Sequence, residues 1–261
     1  MDSLLLYIAA GAAVGFAVGL TGVGGGSLMT PLLLLFGFPP QTAIGTDLLY
    51  ASITKASGAV MHARRHNVDW KVVGFLAAGS LPAAGLTTLF LAMLGNHTQD
   101  YRALLTASLG IMLIATASVL LFRSQIRKQA SADGHPLLHK LQEHRYLVTF
   151  LMGLLLGVLV TLSSVGAGAF GTAVLLVLYP LFKSVRIVGT ELAHAVPLTL
   201  VAGLGHLWLG HVDLALLAAL LIGSLPAIYV GTHLGSRLPD KVLHPLLALT
   251  LMTLGIKYVF F

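Results

Sequence analysis

The sequence predicts an all-α polytopic membrane protein, built as two inverted repeats of about five apolar segments each, with short glycine-broken helices where the repeats meet. Three observations lead there. The chain of 261 residues is 57% hydrophobic and only 9% charged, against roughly 25% charged residues in soluble domains, so it lacks the charge to cover a water-facing surface. Apolar runs recur along its whole length. Its two halves also carry the same polar and proline-bearing motifs in the same order.

Ten apolar segments run over about 3–20, 27–37, 42–63, 72–94, 103–122, 146–162, 169–182, 187–209, 214–235 and 243–261. Most approach the ~20 residues that carry a helix across about 30 Å of hydrocarbon. In lipid a backbone must satisfy its own hydrogen bonds, and these runs lack the alternation of barrel strands, so each reads as helix. The first, Leu4 to Leu20, has no basic stretch before it and no cleavage-like end, and is read as part of the fold. Segments 27–37 and 169–182 are short, and each follows a glycine-rich break. They either complete an alternation of ten crossings or form re-entrant, broken segments. The polar stretch Arg123 to Arg145 joins the halves, giving a transmembrane repeat over 1–122, a cytoplasmic linker over 123–145 and a second transmembrane repeat over 146–261.

The duplication can be counted. Gly15 to Thr30 laid over Gly157 to Thr172 matches at seven of sixteen positions, and T-G-V-G-G-G (Thr21 to Gly26) falls on S-S-V-G-A-G (Ser163 to Gly168). With the register shifted by two, Gly45 to Ala83 over Gly189 to Ala227 matches at thirteen of thirty-nine. The matches include Gly45-Thr46 with Gly189-Thr190, His62 with His206, Val68-Asp69 with Val212-Asp213, and G-S-L-P-A at Gly79 and Gly223. Leucine and alanine match by composition alone; these polar and proline positions do not. Thr46, Thr190, His62 and His206 are therefore expected to be structural positions shared by both repeats.

Charge placement predicts orientation. Twelve of fifteen Lys and Arg fall in four loops: Arg64, Arg65 and Lys71; Arg123, Arg127, Lys128, Lys140 and Arg145; Lys183 and Arg186; Arg237 and Lys241. The positive-inside rule makes those loops cytoplasmic and leaves both termini outside. The equivalent loops at Asp69 and Asp213 then lie on opposite sides, so the repeats are inverted, as in many secondary transporters whose site lies between the repeats. The net charge of +6 thus belongs to topology, not to nucleic-acid binding.

The two breaks are the expected binding site. Glycine lets the backbone leave the helix, and small residues let a ligand approach bare N–H groups. New helices start near Ser27 and Ala169, and a helix start offers unpaired donors and a positive dipole end, a setting suited to an anion. The candidates are Thr21, Gly22, Gly24, Gly25, Gly26 and Ser27 in the first repeat, with Ser163, Ser164, Gly166 and Gly168 in the second. The alternative is that these glycines only permit close helix packing. Asp47 and Glu191 stand at equivalent helix starts just after Gly-Thr, with His194 three residues beyond Glu191 on the same face. They are either dipole-stabilised carboxylates or carriers of a coupling ion. Lys55, deep in its segment, either holds the anion or pairs with Asp47, unless it snorkels to the interface.

Other chemistries find little support. With no cysteine there is no disulfide framework and no thiol site. His135, His139 and His144 in the linker have few carboxylates nearby, so no metal and no cofactor is expected. His62 and His206 near helix ends read as caps on exposed carbonyls. No G-x-x-x-x-G-K-[ST] occurs, so ATP does not drive this chain directly. An intramembrane enzyme would need a nucleophile–base pair that the repeated breaks do not suggest, and no enzyme activity is expected.

The break G-L-T-G-V-G-G-G-S, the A-I-G-T that follows, H-x-R-R-x-N-V-D-W and G-S-L-P-A together resemble the TauE/SafE family of sulfite exporters, also called toluenesulfonate uptake permeases, over essentially the whole chain. The resemblance implies a multi-pass carrier of the bacterial inner membrane for a small anionic substrate such as sulfite, sulfoacetate or another organosulfonate. Asp47 and Glu191 depart from the small neutral residues found there in many relatives. Proton or sodium coupling by alternating access is the implied energetics, with an anion channel or uniporter as the alternative. The bilayer is the one other expected partner, and a homodimer stays open.

Overall fold

The computed structural model describes residues 2–21, 28–94, 99–130, 141–235 and 240–260. Among them the secondary structure is helical, in ten helices: α1 (Asp2–Thr21), α2 (Met29–Leu35), α3 (Pro40–Arg64), α4 (Trp70–Leu94), α5 (Gln99–Ala130), α6 (Arg145–Ser163), α7 (Ala169–Leu178), α8 (Ser184–Trp208), α9 (Leu214–Gly235) and α10 (Asp240–Phe260). They fall where the apolar segments were read, with one extension. Helix α5 runs eight residues past Phe122 into the polar linker, where Arg, Gln and Lys are good helix formers. By length and composition, α4, α6, α8 and α9 and the 101–122 part of α5 can each cross a membrane. Large apolar side chains stay exposed on their outer faces, such as Leu147, Leu151 and Leu155 on α6 and Leu86, Leu89, Phe90 and Met93 on α4. At four-residue spacing these stripes face one way, toward lipid.

Packing follows the duplication. The first helix of each half lies against the fourth helix of the other: α1 on α9, and α6 on α4. The third helices, α3 and α8, pack on each other, as do the fifth, α5 and α10. Glycines make the exchanged contacts. Gly11, Gly15 and Gly19 of α1 meet Leu220, Ser224 and Ile228 of α9, and Gly153 and Gly157 of α6 meet Leu76 and Ser80 of α4. Numbers rise together on both members, so each pair runs parallel. With no hydrophobic drive between helices in lipid, such small-residue stripes let backbones approach and gain dispersion.

The third helices run the other way. Along α3, Gly45, Leu49, Gly58 and His62 meet His206, Gly203, Leu192 and Gly189 of α8 in falling order, so the pair is antiparallel. Short turns join α3 to α4 and α8 to α9, which makes α3 parallel to α9 and hence to α1. The connection bearing α2 must therefore travel back the length of the bundle, and by the same argument so must the one bearing α7. With seven and ten residues, these helices cover only roughly 10 and 15 Å of it. Helix α3 misses the apolarity of a spanning segment because its buried residues include Thr46, Asp47, Ser52, Thr54 and Lys55.

Cβ atoms at two α6 and α4 positions separate the packing role of glycine from mere composition. Gly153→Leu is expected to drive its side chain into the Leu76 carbonyl and to cost about 1–3 kcal/mol or more of stability. Gly74→Ala on α4, where nothing lies within 4 Å, is expected to leave the melting temperature in detergent unchanged. Equal melting temperatures for the two variants would show that the α4–α6 approach is not what the glycines serve.

Candidate functional site

The α3–α8 pair is closed at each end by the repeated motifs, which meet across the halves. At one end the Thr190 hydroxyl accepts the Asp69 N–H at 2.9 Å; at the other, the Thr46 hydroxyl accepts the Asp213 N–H at 3.2 Å. Each aspartate then caps the helix that follows, Asp69 Oδ1 taking the Val72 N–H at 3.1 Å and Asp213 Oδ1 the Leu216 N–H at 2.9 Å. The first joint adds an ion pair from Arg186 to Asp69 Oδ2 at 2.7 Å.

The histidines do not cap their own helices as expected. Both helix ends are closed by backbone alone: the Asn67 N–H reaches the His62 carbonyl and the His211 N–H the His206 carbonyl, each at 2.9 Å, over a residue of positive φ, His66 or Gly210. His206 instead bonds through Nε2 to the Thr161 carbonyl of α6 at 2.9 Å, and its Nδ1 meets His211 Nδ1 at 3.1 Å. With Nε2 donating to a carbonyl, Nδ1 of His206 is the acceptor and His211 the donor. The Tyr101 hydroxyl lies 3.3 Å from the His211 ring. Among the described residues His62 has no such partner; it stands against Gly189, its Nδ1 buried and unbonded.

Between the joints lie the charged candidates. Asp47 is fully buried, Glu191 is 4% exposed and Lys55 5%, and polar side chains at that depth are costly. Asp47 Oδ2 takes the Thr30 N–H at 3.1 Å and the Thr30 hydroxyl at 2.5 Å, so it closes the first turn of α2. The Ser164 hydroxyl stands beside this carboxylate without closing a hydrogen bond, and both Ser164 Oγ and Asp47 Oδ1 are buried and unbonded. Glu191 lies against Gly171 in the first turn of α7, its Oε1 buried and unbonded. Next on that face, His194 Nε2 bonds the Ser80 hydroxyl of α4 at 2.8 Å, while its Nδ1 is unbonded. Lys55 acts through space on Asp47, Glu191 and His194. Among the described residues, Arg186–Asp69 is the one ion pair, so Lys55 does not pair with Asp47.

The second break is closed on itself. Ser163 Oγ donates to the Leu159 carbonyl at 2.6 Å and accepts the Val165 N–H at 3.2 Å. Ser164, with φ 58°, ends α6 through its N–H to the Val160 carbonyl at 2.7 Å. Gly166 has φ 111°, and a Cβ there would strike the Met112 side chain. The carbonyls of Gly166 and Gly168 take the Gly171 and Thr172 N–H groups at 3.1 and 3.0 Å, so the Gly171 donor of the helix start is already used. Of the first break, Gly22, Gly24, Gly25, Gly26 and Ser27 lie outside the described residues, as does the side chain of Thr21.

Several participants went unnoticed in the sequence. Thr30 aligns with Thr172, and Ser80 and Ser224 sit inside the repeated G-S-L-P-A, so the signal was present in the alignment. Ser224 faces Tyr50 as Ser80 faces His194, and these four are equivalent positions. His211 and Tyr101 carried no pattern, because Asn67 replaces His211 in the first repeat.

That replacement yields a test. Burial pushes the His211 imidazole, in the turn before α9, down to about 4, whereas the unfolded chain takes up its proton near 6.5. Stability from this corner is complete above about pH 6.5 and is lost toward pH 4, at roughly 1.4 kcal/mol per pH unit. His211→Asn, with the residue type that the first repeat uses, is expected to flatten the fall of melting temperature between pH 7 and 5. An unchanged slope would assign the acid sensitivity elsewhere.

The comparisons agree with this architecture. The family model described as Sulfite exporter TauE/SafE matches residues 7–258. A probable membrane transporter protein of Bacillus subtilis, YjnA, is 35% identical over 94% of this chain and 96% of its own. A second from the same organism, YdhB, is 32% identical over 95% and 96%. No solved structure matches. A duplicated helical bundle with polar groups buried between its halves, matched along nearly its whole length, is a membrane transporter of the TauE/SafE sulfite exporter family.

Proposed function

We propose that this protein is a secondary carrier that moves small sulfur-containing anions, sulfite or organosulfonates, across a bacterial inner membrane by ion-coupled alternating access. The observation that carries the reading is Lys55: an ammonium buried between α3 and α8, unpaired with any carboxylate among the described residues, yet within electrostatic reach of two. A buried cation is kept where it meets a partner that comes and goes. A sulfonate or sulfite oxygen supplies that partner, and the TauE/SafE family description supplies the substrate class.

The antiparallel pairing of α3 with α8 and the exchange of α1 and α6 between halves support an inverted-repeat frame, in which the two joints lie at opposite ends of the site. Lys71, Arg145 and Arg186 gather with Tyr146, Tyr179 and Phe182 at one end. The positive-inside rule makes that end cytoplasmic. Rocking of one repeat against the other would open Lys55 to each side in turn.

Flux of radiolabelled sulfite into proteoliposomes under imposed proton or sodium gradients tests the whole reading. Flux accelerated by one gradient is expected; flux indifferent to every gradient would replace the carrier by a channel or uniporter. A thermal-shift screen against sulfite, sulfate, thiosulfate and sulfonates identifies the ligand, since whatever binds the folded state raises its apparent stability.

Lys55→Ala is expected to weaken anion binding by roughly 1–3 kcal/mol, the scale of a charge-assisted hydrogen bond. Lys55→Arg should restore it only in part, because the planar fork presents other geometry. Undiminished affinity in a folded Lys55→Ala protein would remove Lys55 from the site.

A further inference from the structure

Asp47 and Glu191 are equivalent by sequence but not by bonding. Asp47 is fixed: two donors of Thr30, one on the backbone and one on the side chain, hold Oδ2 on the first turn of α2. Glu191 approaches the first turn of α7 in the same way, with its Cγ 3.4 Å and Oε1 3.7 Å from where a Gly171 Cβ would stand. There it finds no donor. The Gly171 and Thr172 N–H groups are already bonded to Gly166 and Gly168, and Gly171 has no side chain to offer. Glu191 makes no hydrogen bond among the described residues, and Oε1 is buried.

The neighbours of Glu191 are few. Helix α3 brings Lys55, and α8 itself brings His194, which is tied through Nε2 to Ser80 of α4. Helix α7 contains no ionisable residue, and those of α6, Arg145 and Tyr146, stand at its first turn with Lys71 and Tyr179. Between the contacts of Leu49 with Gly203 and Gly58 with Leu192, Lys55 comes opposite the stretch of α8 that bears His194. It lies two turns along α3 from Asp47, about 12 Å of axis. Among the described residues Lys55 is therefore the one cation available to Glu191, and it is also the group proposed to hold the substrate.

We propose that Glu191 carries the coupling proton, and that Asp47, its counterpart in the first repeat, is a fixed cap on α2. This rests on the anion reading of Lys55 given above. When an anion binds, Lys55 turns to it, and the Glu191 carboxylate is left buried without compensation, a state too costly to persist. A proton from water then forms an O–H bond on Glu191, and the loaded site gains no net charge. Release of the anion returns Lys55 to Glu191 and the proton to water on the same side. Anion and proton thus travel together.

Infrared difference spectroscopy of the purified protein in lipid, with methanesulfonate as probe, tests this. Methanesulfonate keeps its charge across the pH range, so every proton taken up is the protein's. The protonated-carboxyl band is expected to grow when the probe is added, to do so in Asp47→Asn, and to be lost in Glu191→Gln. Probe affinity should fall with rising pH by up to about tenfold per unit for one coupled proton, and Glu191→Gln should abolish that slope. If Asp47→Asn is not recovered folded, Thr30→Val, which loosens Asp47 alone, should leave band and slope intact. Loss of the band in the Asp47 or Thr30 variant with its retention in Glu191→Gln overturns the assignment, as does probe affinity that follows sodium and ignores pH. Failure of the probe to bind at all, with a pH-titrating band that still disappears in Glu191→Gln, upholds the carboxyl and sinks only the substrate class.

Discussion

At each end of the α3–α8 pair a threonine hydroxyl takes the N–H of an aspartate from the opposite half, and the glycine beside that threonine leaves room for it. Everything else hangs on this crossed contact. It sets the two third helices antiparallel, it fixes the turns that launch α4 and α9, and through those turns it places the glycine faces that receive α6 and α1. A backbone donor withdrawn from water and left unpaired costs free energy, so each joint removes a penalty as well as adding a bond. Asp69 and Asp213 serve twice, offering the N–H to threonine and the carboxylate to the next helix.

The same frame explains why polar chemistry concentrates on α3 and α8. A helix enclosed by others need not be apolar all round, and α3 buries Asp47, Ser52, Thr54 and Lys55 where an outer helix shows leucine to lipid. The frame is symmetric, but what hangs on it is not. Lys55 answers to Thr199, Tyr50 to His194, and the short Asp47 side chain to the longer Glu191. One carboxylate is tied into helix capping through a single oxygen, while the other makes no side-chain hydrogen bond among the described residues. The repeated motifs supply the scaffold, and differences at a few equivalent positions make the two halves inequivalent.

Much of the fold was legible because its devices are written as residue identities. Runs of apolar residues mark helices in lipid, and Gly-Thr, His and Val-Asp recur because each contact occurs twice. The site was legible only in part. Lys55, Asp47, Glu191 and His194 stood out as polar residues in apolar runs, and they do lie within reach of Lys55. Their partners did not stand out. Thr30, Ser80 and Tyr101 are ordinary residues on helices distant in sequence, and only tertiary packing brings them to Asp47, His194 and His211. The role expected of the histidines failed for a related reason: a positive-φ residue in each turn lets the backbone close the helix unaided, which frees His206 to reach α6.

The exchanged pairing of α1 with α9 also bears on how the chain is made. Of the described helices α1 is made before its partner, and more than two hundred residues must follow before that partner is complete. At synthesis rates of about 5–20 residues per second, that is a wait of roughly 10–40 s. During that interval the face formed by Gly11, Gly15 and Gly19 has no helix against it, and it offers the surrounding lipid a groove instead of a side chain. Helix α6, by contrast, finds α4 already in place. The second half therefore assembles onto a waiting surface, while the first half is finished only when the last residues of α9 have left the ribosome.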